Sequence, residues 1–390
     1  MKKILIILII IFLLPLYGFA EEAAMAEHEI IDEYAEMYGE ELTEGVENLD
    51  GVELDSLVPG FNVQEIISGL AKGENIFSVR EIYNKGIMLL TGEVKSTLKI
   101  LVFILALAVL STYLVNIQSS LNNDGAANAA FFACYTVIAG IAAAAFFDVI
   151  RCGQTVIENI ALFMRVIVPV ALVSLMSSGA VITATTFEAT LMGVIEITEW
   201  IIETVFIPLL LMAAAINIVN NLSEKLNAEK IVQMINKAVK WGLSILLTIF
   251  VWVTGLQGIA AGGADGLTLK VTKFAAANLI PVVGGILSES VETVMNCSVV
   301  IKNSVGIVGI ILVALISVVP VIKVAACLIM FRICAAVIQP IADKKIVKCV
   351  SEMADSVSCV FSMMVAVIVM FIIILTIVIN IGNTAALLGR

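Results

Sequence analysis

Glu188, Glu196, Glu199 and Glu203 are the residues in this chain best placed by type and spacing to do chemistry. At about 100° per helical residue they fall near 0°, 80°, 20° and 60°, so they share one helix face. Four carboxylates entering an apolar helix must meet water or a partner. That face is either the hydrophilic lining of a pore or cation path, or the wet side of an interfacial helix. Lysines form a second constellation. Lys225, Lys230, Lys237 and Lys240 lie in one segment, and Lys344, Lys345 and Lys348 in another. These are the densest basic loops, and the positive-inside rule makes both cytoplasmic. They are candidate docking surfaces for a partner. Lys302, Lys323 and Arg332 sit in or beside an apolar stretch and call for a carboxylate partner or a pore wall. Snorkelling to an interface is the expectation for Lys302, and a helix end is expected for Asp148 and Arg151.

Catalytic readings find few candidates. The only histidine is His28, which removes histidine triads and H-E-x-x-H zinc motifs from the apolar part of the chain. No phosphate-binding G-x-x-x-x-G-K-[ST] loop occurs. Gly262-Gly263-Ala264-Asp265 faintly resembles an intramembrane aspartyl-protease motif without a second aspartate. The seven cysteines are scattered, none in a C-x-x-C pair, and behave as small apolar residues. No catalytic residue, cofactor or metal ligand is assigned, and the expectation is a protein that is not an enzyme.

The elements that must position these residues are set by composition. Of 390 residues, 61% are hydrophobic and 14% charged, against about half and a quarter in soluble proteins. Residues 21–99 hold 18 of the 33 acidic residues and 5 basic ones; residues 100–390 are neutral overall. A nucleic-acid binder would need a basic surface, so that class is excluded. Lys2 and Lys3, the apolar run Ile4–Leu14 and Gly18-Phe19-Ala20 have the pattern of a secretory signal peptide cut after Ala20; an uncleaved anchor is the alternative. Residues 21–99 then form an acidic, extracytoplasmic helical segment. Ile30, Tyr34, Met37 and Glu41 trace a weak stripe there, and Val58-Pro59-Gly60 interrupts it.

The fold class expected is an all-α polytopic membrane protein. Runs long enough to span lie at Ile100–Ile117, Ala126–Phe147, Trp200–Val219, Trp241–Ala261, Val305–Ile322 and Val357–Ile381. Two shorter stretches surround Pro169 and Pro281. Pro169 and Pro208 are 39 residues apart, as are Pro281 and Pro320, and the pairs are offset by 112. Glu229-Lys230-Ile231-Val232 resembles Lys344-Lys345-Ile346-Val347 at an offset of 115. A tandem repeat follows, although the face matching the carboxylate stripe (Val300, Val308, Ile311, Leu315) is apolar. Pro169, Pro281, Gly284 and Gly285 mark Pro-broken segments expected to be re-entrant, because backbone breaks at membrane depth need protein or water cover. Val305–Ile338 is expected as one helix bent at Pro320. Charge allows six spans at most, and five are preferred. The expected division is 1–20 signal peptide, 21–99 acidic segment, 100–125 first membrane helix, 126–240 and 241–355 repeats, and 356–390 last helix and tail.

Asn278-Leu279-Ile280-Pro281-Val282-Val283-Gly284-Gly285, then Cys297-Ser298 and Lys302-Asn303-Ser304-Val305-Gly306, together with the order of segments, resemble the stage III sporulation protein AE family of spore-forming Firmicutes. The resemblance covers essentially the whole chain. It implies a multi-pass protein of the mother-cell membrane around the forespore. The partners it implies are other stage III sporulation A proteins, including the secretion-ATPase-like member, and stage II sporulation protein Q directly or indirectly. It further implies a channel, or feeding tube, that sustains forespore development and late gene expression. It carries no residue-level active site. A stand-alone secondary transporter of a small solute is the other reading the repeat suits.

Overall fold

The computed structural model describes residues 28–49, 52, 62–73, 79–120, 124–178, 180–222, 228–279 and 284–389. The expected signal peptide, Val58-Pro59-Gly60, Lys225 and Pro281 lie outside the described residues. Every regular element among those described is a helix.

Two short helices come first, α1 (His28–Glu47) and α2 (Val63–Ala71). Asn62 starts α2 by accepting hydrogen bonds from the backbone N–H groups of Gln64 (2.9 Å) and Glu65 (3.3 Å), which satisfies orphan donors of the first turn. Lys72 ties α2 to Asp32 of α1 at 2.7 Å. The face of α1 that packs is Ala35, Tyr38, Leu42, Val46 and Leu49, not the stripe expected through Met37, which is half exposed. Both stripes have helical spacing; the buried one carries the larger continuous apolar surface once α2 and the bundle are present.

Long helices build the remainder: α3 (Val79–Ser120), α4 (Asp124–Ser177), α5 (Val181–Ile201), a π-helical turn (Ile202–Phe206), α6 (Ile207–Leu222), α7 (Glu229–Leu279), α8 (Gly284–Ile338) and α9 (Lys344–Gly389). α4, α8 and α9 pack mutually at the centre. α3 lies on α4 and α8; α5 and α6 lie between α4 and α7; α1 packs on α4 and α8, and α2 on α1 and α8. Small residues set the central approach. A Cβ on Gly309 of α8 would run into Ile167 of α4 and come within 3.2 Å of Leu375 of α9.

Six helical stretches are long and apolar enough to cross a membrane: Thr91–Ile117, Gly125–Ser177, Val181–Asn220, Glu229–Leu256, Cys297–Ile338 and Lys344–Ile381. That is one more than the preferred five. The chain is therefore a multi-pass, all-helical protein by its own length and apolarity.

Two sequence expectations are corrected. Pro169 does not break a segment but lies inside the 54-residue α4. Proline in a helix interior costs about 3 kcal/mol. Ile167, Val168, Leu172 and Leu175 around it are fully or almost fully buried, and each such burial is worth about 1.5–3 kcal/mol against water, so packing wins. Asp148 and Arg151 lie mid-helix in α4 and not at an end, because no breaker follows them. The bounds expected at 99/100, 240/241 and 355/356 mark changes of composition within the continuous helices α3, α7 and α9. Pro320 lies inside α8, as expected of one long helix.

Candidate functional site

α4 and α5 form a helical hairpin. The turn is held by Ser178 N–H donating to Ser174 O (3.2 Å) and Ala180 N–H to Leu175 O (3.3 Å). Counting outward from that turn brings Arg165 of α4 opposite the carboxylates of α5. The Arg165 guanidinium donates through Nε to Glu196 Oε1 at 2.8 Å, and through Nη2 to Glu199. Glu203, in the π turn, comes within hydrogen-bond reach of Glu158 of α4. Glu188 is exposed nearer the turn and joins none of the ion pairs described.

The expected carboxylate stripe therefore meets a cation and a fifth carboxylate that sequence reasoning missed. One signal could have found them: Glu158 and Arg165 are seven residues apart, hence on one helix face, at nearly the same count from Gly179 as Glu203 and Glu196. With one guanidinium against Glu158, Glu196, Glu199 and Glu203 the cluster is net acidic. It can hold the hairpin together, and it can attract a cation.

The π turn has a local cause. Pro208 cannot donate a backbone hydrogen bond and its ring crowds the carbonyl one turn earlier. Widening the preceding turn relieves that clash, and Ile207 N–H reaches back to Ile202 O. Such turns are frequent at functional sites. The Phe206 ring packs where Gly242 of α7 leaves room; a Cβ there would sit 3.0 Å from it.

At the opposite end of α4 the two basic segments meet. Lys348 of α9 pairs with Glu229 of α7 at 2.5 Å. Lys345 stands 5.7 Å over the Phe131 ring of α4, and Tyr135 donates to Ile218 O at 3.0 Å. Lys230, Lys237, Lys240 and Lys344 are exposed. Gly284 and Gly285 open α8, next to Pro281 outside the described residues.

Lys302 departs from its expectation. It does not snorkel: the side chain is fully buried and its ammonium donates to Ile379 O of α9 at 2.6 Å. Gly306, one turn on, lets Ile379 approach and so brings that carbonyl within reach. Among the described residues no group of three or more His, Cys, Asp and Glu is arranged to hold a metal ion.

A family model described as Stage III sporulation protein AE matches residues 61–382. Stage III sporulation protein AE of Bacillus subtilis (strain 168) is 27% identical over 311 residues, covering 80% of this chain and 78% of that protein. No solved structure matches the chain.

Proposed function

The chain belongs to the stage III sporulation protein AE family, and from that premise we propose that it is a non-enzymatic, permease-like component of a channel between mother cell and forespore. In this reading it sits in the mother-cell membrane with residues 21–99 extracytoplasmic. It works with other stage III sporulation A proteins, the secretion-ATPase-like member among them, and directly or indirectly with stage II sporulation protein Q.

The observation that supports this reading is the separation of two surfaces along α4. The N-terminal helices pack near its C-terminal end: a Cβ on Gly45 would meet Val166, and the Tyr38 phenol faces Ser174 and Ser177. The basic segments meet at Phe131 and Tyr135. At 1.5 Å per residue the two ends are about 50 Å apart or more, which exceeds the roughly 30 Å hydrocarbon core. An acidic surface between the membranes and a basic surface in the cytoplasm is the polarity a channel component needs if an ATPase serves it from inside.

Lys230 and Lys344, exposed on the two basic segments, are the docking surface for that ATPase. Lys230→Glu combined with Lys344→Glu is expected to abolish co-purification with the ATPase-like partner while the protein still inserts. Unchanged recovery of the partner rejects the docking surface.

A further inference from the structure

α7 exposes two different faces over the same membrane-crossing stretch. Ile231, Met234, Trp241, Ile245, Ile249 and Trp252 are large, apolar and exposed, and they follow one helical stripe. About 100° away around the helix, Lys237, Lys240, Ser244 and Thr248 are also exposed and follow a second stripe. The first suits lipid. On the second, the ammonium groups of Lys237 and Lys240 do not suit lipid, while Ser244 and Thr248 donate to Lys240 O (3.0 Å) and Ser244 O (2.8 Å) of their own helix.

α9 carries a matching stripe, Asp355, Ser358 and Ser362, at spacings of three and four. The two stripes lie close together: α7 packs on α9, where the Cys359 thiol, next to Ser358, lies 3.9 Å from Asn236 O, next to Lys237. α8 closes the far side, where Arg332 donates to Asp355 Oδ1 at 2.6 Å. Those two side chains remain 49% and 48% exposed. An ion pair half open to its surroundings within the candidate spans Cys297–Ile338 and Lys344–Ile381 is stable only beside water, since hydrocarbon cannot solvate it. Asp355 neutralises Arg332, and among the described residues no carboxylate pairs with Lys237 or Lys240. The strip is therefore polar along its length and net positive.

We infer that this strip across α7, α8 and α9 is the water-facing wall of a path for small anions. The inference rests on the channel reading above and adds to it both the wall and the charge class of what passes. It uses neither Lys230 nor Lys344, so the docking variant leaves the strip intact.

The test is thiol accessibility in the full-length protein in native membranes. Single Ser244→Cys, Thr248→Cys and Ser362→Cys variants are treated with sulfonatoethyl and trimethylammonioethyl methanethiosulfonate, with rates normalised to a free thiol and to the unsubstituted chain. All three are expected to react, with the anionic reagent favoured on the order of tenfold by the local potential. Replacing both Lys237 and Lys240 by Gln is expected to remove that preference, and Ile249→Cys, on the lipid face, to stay silent. Strip positions as silent as Ile249→Cys, or a preference for the cationic reagent, overturn the inference. Silent strip positions with partner co-purification still sensitive to Lys230 and Lys344 reject the wall alone; loss of that sensitivity with a reactive strip rejects the docking surface alone.

Discussion

Arg165 meets two carboxylates whose surroundings differ, and the difference decides what each contact is worth. Glu196 is 61% exposed and Glu199 15%. An exposed pair contributes about 0–1 kcal/mol, whereas hydrogen bonds to charged groups away from water contribute about 1.5–3 kcal/mol. Glu196→Gln is therefore expected to leave thermal stability in detergent nearly unchanged. Arg165→Gln, which strands Glu199, is expected to lower stability by about 1–3 kcal/mol, with partial recovery when Glu199→Gln is added. Equal melting temperatures for Arg165→Gln and the unsubstituted protein would show that the pairs are idle. The carboxylate stripe itself was readable, because helical periodicity is a local property of Glu188 to Glu203. Arg165 was not, because its partners lie 31 and 34 residues away, and only the hairpin turn at Ser178 brings them together. Lys302 shows the same limit from the other side: no local pattern announces that Ile379 O will be its acceptor.

Prolines and glycines govern the elements, and their effects depend on what packs around them. Pro169 and Pro208 look alike in sequence, each flanked by apolar residues. Pro169 is absorbed into a regular helix that packs against α1, α8 and α9. Pro208 instead sits behind a π turn, at a place where Gly242 gives Phe206 room. The repeat landmarks divide in the same way. Pro208 and Pro320 both lie inside helices, and Glu229 and Lys344 both begin them. Pro169 lies within α4, and Pro281 lies outside the described residues. Periodicity and hydropathy thus located the helices, but whether a proline ends one is set by tertiary packing that the local sequence does not contain. Glycines allow a sharper test. A Cβ on Gly309 would press on Ile167 and Leu375, whereas one on Gly140 would meet nothing within 4 Å. Gly309→Leu is expected to destabilise the bundle by about 1–3 kcal/mol through overpacking, and Gly140→Leu to be neutral within about 0.5 kcal/mol. Equal unfolding temperatures for the two variants would mean that the α4–α8–α9 contact is loose enough to accept a side chain.

At the scale of the molecule, helix length is decisive. α4 and α8, at 54 and 55 residues, are each about 80 Å long, far more than a bilayer's hydrocarbon core of about 30 Å. A large part of each must stand outside the membrane. In α4 the charged residues Asp148, Arg151, Glu158 and Arg165 lie in the half toward α1. Part of the acidic excess of the first hundred residues, legible from composition, lies on α1, which packs against that half of α4. What composition could not supply is the height of the projection, because the buried side chains of α8 and α9 there are as apolar as a membrane span. Six crossings from an outside N-terminal segment put the connections after α3, α6 and α8 on one side, together with the exposed Lys230 and Lys344 beside them. Sidedness is therefore a prediction of the whole arrangement and not of any one loop. Asp32→Cys on α1 is expected to react with an impermeant maleimide in intact cells stripped of their wall, whereas Lys344→Cys reacts only after permeabilisation. A Lys344→Cys that labels from outside would remove the cytoplasmic docking surface. Labelling of both positions from one side would also require an even number of crossings between them, in place of the odd number that the spans of α3 through α8 supply.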